Sequence, residues 1–331
     1  MQYLTLPRSD LNVSRVAMGC WPLAGDMTWG PQNEQAGIAG IHAALDAGIN
    51  FFDTAELYGN GISEQLLGKA LQGRRDKAVI ASKFSPDNAS TEKLKAACER
   101  SLRFLDTDRI DLYQIHWPSR HIPWQETWRT MQDLRDAGKI RYLAVSNFGH
   151  RDMTDQLPIG APITNQLPYN LLTRAIEFDI LPQCIEHEIG VLCYSPLQHG
   201  LLTGKFPTAD DVPEGRARSR HFSKQRPLTR HGEPGCEHET FAAINRLREI
   251  SNDLGRQPGD VAMAWLLAQP GVSTVIVGIR NPQQAHENAA TANLKLDNST
   301  LAALNEASEP VKQALGHNPD MWEGTENSRY R

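Results

Sequence analysis

The sequence has little cysteine, and what it has is scattered. Cys20, Cys98, Cys184, Cys193 and Cys236 are odd in number and form no C-x-x-C pair, which argues against a disulfide framework and makes a reducing compartment, the cytoplasm, the expected location. Long hydrophobic runs are absent. No stretch approaches the ~18 consecutive apolar residues of a membrane span, and Met1 to Asp10 shows no basic region followed by an apolar one, so no membrane association is expected. There is no surplus of positive charge either. Thirty-four Lys and Arg stand against 39 Asp and Glu, a net charge of -5, so no broad basic field is available for nucleic acid, and no nucleic-acid partner is expected.

Phosphate-binding glycine signatures are also missing. The nearest approach to G-x-G-x-x-G is Gly59-Asn60-Gly61, with Glu64 where the third glycine would fall, and Gly200 to Phe206 has one spacer too few for a P-loop. The first apolar run ends Met18-Gly19-Cys20-Trp21 without an H-x-H pair, which disfavours a metal-dependent barrel hydrolase. His199, His221, His231, Cys236 and His238 cluster in sequence but lack metal-ligand spacing, so no metal is expected.

What is present is a rhythm. After a stretch that reads as a hairpin (Tyr3 to Leu6, a Ser9-Asp10 turn, Asn12 to Val16), eight short apolar runs begin at Val16, Ile49, Ala78, Ile110, Ile140, Pro162, Val191 and Val272. Between them lie stretches with apolar residues every three or four positions: Gln32 to Ala47, Glu64 to Leu71, Thr91 to Leu105, Trp124 to Ala137 and Glu239 to Leu254. Strands that are continuously apolar must be covered on both faces, and eight strand-helix units predict a closed (β/α)8 TIM barrel of the α/β class, one domain over residues 1–331. Two segments break the rhythm. Residues 206–239 form a long loop rich in proline and in Arg216, Arg218, Arg220, Lys224, Arg226 and Arg230, and residues 316–331 read as an irregular tail.

In a parallel barrel the functional groups come from the C-terminal ends of the strands. Here nearly every run is closed by a polar group: Asp53, Lys83, His116, Ser146-Asn147, Asn165-Gln166 and Tyr194-Ser195. Asp53-Thr54-Ala55-Glu56-Leu57-Tyr58-Gly59 adds a tyrosine five residues past the acid. With Lys83, Tyr113 to Pro118, Gly138 to Arg141, Val145 to Phe148, Gln166 to Asn170, Tyr194 to Leu197, Gly200 to Lys205 and Gly278-Ile279-Arg280 followed by Gln284 and Glu287-Asn288, the chain resembles the aldo-keto reductase superfamily in order and spacing.

The resemblance implies reduction of a small aldehyde or ketone to an alcohol by hydride transfer from NADPH. Tyr58 would donate the proton, Lys83 would draw the tyrosine pKa down, Asp53 would hold Lys83, and His116 would orient the carbonyl. Ser146, Asn147 and Gln166 would hold the nicotinamide carboxamide and Tyr194 would stack on its ring. Ser195, Leu197, Gly200 and Lys205 would follow the pyrophosphate. Gly278, Arg280, Gln284, Glu287 and Asn288 would face the adenosine end, where Arg280 can grip a 2′-phosphate. The basic loop from Arg216 to Arg230 shows no obvious packing purpose in the sequence: its charge and its place after Gly200 to Lys205 leave it either a lid that folds over the cofactor or a permanently solvated surface loop. Trp21, Met27, Trp29 and Trp117 would line an aromatic substrate pocket. The chain is also similar to potassium-channel β subunits, which implies as an alternative an NADP(H)-binding regulatory or scaffold protein with slow residual reductase activity.

Overall fold

The structure, a computed structural model, describes residues 1–25 and 29–331. The chain opens with an antiparallel hairpin, β1 (Tyr3–Thr5) and β2 (Asn12–Ser14). Eight parallel strands follow: β3 (Val16–Gly19), β4 (Phe51–Asp53), β5 (Val79–Phe84), β6 (Ile110–Ile115), β7 (Ile140–Ser146), β8 (Thr164–Pro168), β9 (Gly190–Tyr194) and β10 (Val272–Gly278). They close into a barrel in chain order, with β10 pairing back onto β3. This is the predicted (β/α)8 barrel with its N-terminal hairpin.

Six connections carry α1 (Glu34–Asp46), α2 (Ile62–Ala70), α3 (Thr91–Phe104), α4 (Trp124–Asp136), α5 (His150–Gln156) and α6 (Ile180–Glu186). The β9–β10 connection holds α7 (Glu237–Asp253) and α8 (Pro258–Leu267), and α9 (Pro282–Thr291) and α10 (Asn298–Leu315) follow β10. Cap chemistry sets several starts. Asn33 accepts from the Ala36 N–H to open α1, and Asn281, ahead of Pro282, does the same for α9 through the Gln284 N–H.

Strand residues alternate between two cores. Val16, Met18, Phe52, Ile80, Tyr113 and Val145 face the helices, while Ala17, Phe51, Ala81, Leu112, Ala144, Leu192 and Ile276 fill the barrel interior together with Leu6, Leu11 and Val13 of the hairpin region. The hairpin therefore plugs the N-terminal end of the barrel.

Candidate active site

The period of two that builds the barrel floor also builds the layer above it. Two residues beyond Ala17, Phe51, Ala81, Leu112, Ala144, Leu192 and Ile276 come Gly19, Asp53, Lys83, Gln114, Ser146, Tyr194 and Gly278, on the same inward face and one level nearer the C-terminal mouth. Register keeps them together: Gly19 pairs with Asp53 and with Gly278, Lys83 with Gln114, and Ser146 with Gln166. An apolar layer under a polar one is what places the strand-end residues in a single site.

At its centre is a buried ion pair. Lys83 Nζ donates to Asp53 Oδ1 at 2.6 Å, to the Thr54 carbonyl at 2.9 Å and to the Tyr58 hydroxyl at 3.2 Å. Asp53 Oδ2 accepts from Gln166 Nε2 at 2.7 Å and from Gln114 Nε2 at 3.3 Å. The loop that carries Tyr58 is pinned on both sides: the Thr54 and Ser63 hydroxyls share a bond and Ser63 reaches the Cys20 carbonyl, while Glu56 binds the Ser85 N–H, Asn88 and Arg100. Tyr58 thus has a fixed place on Lys83.

Burial alone would lower the Lys83 ammonium, but Asp53 and Tyr58 together outweigh it, and the lysine is held charged above its ordinary value. Tyr58 corrects the expectation. Burial dominates there and raises the phenol, with Lys83 pulling the other way, so the hydroxyl rests as a proton donor and not as a phenolate. The His116 ring stands edge-on to Tyr58, with centroids 5.9 Å apart. Burial, then the charges of Lys83 and Arg329, push its pKa down to about 3, so the imidazole is neutral and keeps one N–H to donate.

This cluster lies at one end of a cavity of about 640 Å³. Ser146, Asn147, Gln166, Tyr194, Ser195, Leu197, Gly200, Lys205, Gly278, Arg280 and Gln284 all line it, as do Trp21, Trp29 and Trp117. Met27 lies outside the described residues. Glu287 and Asn288 do not line the cavity: they sit farther along α9, with Glu287 exposed and accepting from Gln283. The structure also changes the expectation for Asn147. Its Oδ1 accepts from the hydroxyls of Tyr194 and Tyr330, and its Nδ2 donates to the His116 carbonyl and to Ser146 Oγ, which fills the amide's hydrogen-bonding capacity from within the protein. Gln166 Oε1, in contrast, receives no protein donor among the described residues.

The far end of the cavity is cationic. Lys205, Arg216 and Arg280 line it, and none has a carboxylate partner among the described residues. Burial depresses Lys205 and Arg216, and each feels a further push from a neighbouring arginine, Arg216 and Arg280 respectively. Gly200, at φ 93°, leaves this space open: a Cβ there would stand 3.4 Å from Lys205 Cε and 3.5 Å from Arg216 Nη1. Arg280 donates to Gln32 Oε1 at 2.7 Å and to the carbonyls of Trp29 and Pro31 at 2.9 and 2.7 Å, so it also ties down the chain after β3. At Gly278 a Cβ would meet Pro22 Cγ at 2.9 Å, which explains why no side chain extends from that position.

Several lining residues escaped the sequence reading. Arg329 and Trp322 reach the cavity from the tail, and His199, considered only as a metal candidate, packs between Trp29 and Trp322. Among the described residues no three His, Cys, Asp or Glu side chains converge to hold a metal ion. The basic loop proves to have a packing purpose. Arg220 is buried, paired with Glu233 and bonded to the carbonyls of Leu315 and Asn318, and Arg226 pairs with Glu237 and Asp210, while Arg216 and Arg230 face the cavity.

The site is thus a charged lysine between an aspartate and a tyrosine, beside a neutral histidine and facing a cationic cleft, at the C-terminal mouth of a parallel barrel. Residues 15–309 match the model of the Aldo/keto reductase family. Aldo-keto reductase YhdN of Bacillus subtilis (strain 168) is 38% identical over 297 residues, 86% of this chain and 86% of that protein. Methylglyoxal reductase YeaE of Escherichia coli (strain K12) is 33% identical over 303 residues, 90% of this chain and 92% of that one. A solved aldo-keto reductase from Klebsiella pneumoniae in complex with NADPH has a TM-score of 0.72 at 29% identity, covering 92% of this chain and 95% of its own. The chain belongs to the aldo/keto reductase family.

Proposed function

We propose that the protein reduces small aldehydes or ketones to alcohols with NADPH, Tyr58 giving the proton. The observation that carries this reading is the placement of the Tyr58 hydroxyl on a buried, charged Lys83, at one end of a cavity whose other end holds three cations without carboxylate partners. A polyanionic dinucleotide fits that division. Arg280 would take the 2′-phosphate, and Lys205 and Arg216, with open space at Gly200, would take the pyrophosphate. Gln166 Oε1 and Ser146 would hold the carboxamide, and Tyr194 would support the ring. When bound, NADPH supplies the hydride that forms the new C–H bond at the carbonyl carbon.

The rest of the chemistry is this chain's own. His116 donates its N–H to the substrate oxygen and sets the carbonyl against Tyr58. Tyr58 transfers its proton to that oxygen as negative charge develops, and the resulting phenolate is stabilised by the Lys83 ammonium until it takes a proton back from solvent. Asp53 keeps Lys83 charged through the cycle. Trp21, stacked on the Tyr58 ring with centroids 5.9 Å apart, and Trp29, edge-on to Trp21 at 5.7 Å, give the substrate an apolar wall that excludes water.

The relative named as a methylglyoxal reductase makes small oxo-aldehydes the first compounds to try. NADPH oxidation against a panel of aldehydes and ketones, with NADH alongside, tests the reading. Sustained turnover with at least one carbonyl is expected. Oxidation that stops at one equivalent of cofactor, whatever the carbonyl, would count against a catalytic role.

A further inference from the structure

Beyond α10 the chain has little regular structure, yet it is not a loose tail. Asp320, Met321 and Tyr330 are 1%, 5% and 8% exposed. Two anchors hold the segment as a strap across the barrel mouth. In the first, Asp320 takes Arg329 in a two-pronged pair, Nε to Oδ2 and Nη2 to Oδ1 at 2.7 Å each, and also accepts the N–H groups of Trp322 and Glu323. In the second, the side chain and backbone N–H of Arg331 bind Asp152, while its carbonyl accepts the N–H of Arg151 at 2.8 Å. Asp152 is fully buried and also pairs with Arg120, while Arg331 itself stays exposed.

Between the anchors, two side chains are delivered to the catalytic end of the cavity. The Arg329 guanidinium lies over the Trp117 ring, 3.8 Å from its centroid, and lines the cavity with His116. Tyr330 meets the same ring edge-on at 5.3 Å and places its hydroxyl on Asn147 Oδ1, beside the Tyr194 hydroxyl at 2.9 Å. Two donors on Oδ1 fix the orientation of the Asn147 amide, so its Nδ2 is aimed at the His116 carbonyl, 3.0 Å away. Asn147 also holds a left-handed backbone, φ 62°, which a clamped asparagine side chain can stabilise.

We propose that the strap is a working part of the catalytic site: Tyr330 and Arg329 are positioning residues for His116, the first by hydrogen bonding through Asn147 and the second by the charge it holds beside the ring. This rests on the reductase reading for what His116 does, but not for the contacts themselves. Tyr58, from the loop after β4, stands edge-on to the imidazole, Arg329 of the strap lines the same cavity, and the charges of Lys83 from β5 and of Arg329 both act on the ring, with Asp53 and Asp320 behind the two cations. Both cations disfavour a protonated ring. Removing one should let His116 take a proton at higher pH.

Tyr330→Phe keeps the ring against Trp117 and deletes one hydrogen bond, so kcat should fall about 3- to 10-fold with cofactor affinity unchanged. Arg329→Gln should move the acid limb of kcat/KM to higher pH, and Arg329→Lys, which returns the charge, should move it back. An activity-free reading comes from the imidazole signals of protein labelled with ¹⁵N-histidine, the His116 resonance being identified by its loss in His116→Gln. Tyr330→Phe should displace that resonance and Arg329→Gln should raise its titration midpoint. If both variants fold and keep the parent's His116 resonance, its titration and kcat, the proposal is overturned. Loss of turnover in Tyr58→Phe beside parent-like behaviour in Tyr330→Phe would overturn the strap alone. A parent that reduces no carbonyl would overturn the functional reading and leave the resonance to decide the strap.

Discussion

Arg280 carries two loads in the proposed reading. It would take the 2′-phosphate, and it holds Gln32 and the carbonyls of Trp29 and Pro31. NADPH is therefore expected to bind more tightly than NADH, by roughly ten- to a hundred-fold if the phosphate gains one charge-assisted hydrogen-bonded pair of about 1.5–3 kcal/mol. Fluorescence titration of both cofactors checks it: Arg280→Ala should narrow the gap, and equal dissociation constants in the parent would refute the assignment. Lys83 carries a different load. Its loss in Lys83→Met leaves Asp53 buried without its cation, so about 3–5 kcal/mol of stability should go along with most of the turnover. Denaturant unfolding measures the first and NADPH oxidation the second. A variant as stable as the parent would mean that Gln114 and Gln166 alone suffice for the carboxylate.

At the level of elements, the hairpin is the barrel's floor and has no part in its chemistry. Leu11, 1% exposed, packs under the inward-facing strand residues, so Leu11→Ala should cost about 2–5 kcal/mol by leaving a cavity, while kcat stays at the parent value. A changed kcat at unchanged stability would reverse the assignment. The elements legible in the sequence were those with a clean period. All eight strands and α1, α2, α3, α4 and α7 fall within a few residues of where apolar spacing puts them. Four others show no clean period, for physical reasons. α5 and α6 are seven residues each, too short to show a stripe, and α8 is buried over Val261 to Leu266 on every side, so it has none. α10 contains Pro310, which speaks against a helix when read locally. The inward polar layer was legible because strand ends can be found without tertiary contacts. Trp322, Arg329 and Tyr330 were not, since nothing local in an irregular segment says where it returns.

Over the whole molecule, acid is the expected weakness. His116 and His199 are pushed down to about 3 and His221 to about 4 from an ordinary 6.5, in each case chiefly by burial. Between those values the unfolded chain binds protons that the folded one refuses, so stability falls as pH drops below about 6.5. Asp320 and Glu177, whose carboxyls are held down by Arg329 and by Arg174 with Lys312 against the opposing effect of burial, add to the same loss at lower pH. Tm followed from about pH 7 to about pH 4.5 should decline steadily, and a flat profile would contradict the buried neutral histidines. The same three-dimensional convergence that buries these groups brings Asp53 and Tyr58, from β4 and the loop after it, Lys83 from β5 and His116 from the end of β6 to one site. Tyr58→Phe probes that convergence at its reacting atom, because the ring and its stacking on Trp21 remain while the proton is gone. With an aldehyde that the parent reduces, NADPH turnover should fall at least about a hundred-fold with cofactor binding unchanged. Reduction by Tyr58→Phe at the parent rate would contradict it.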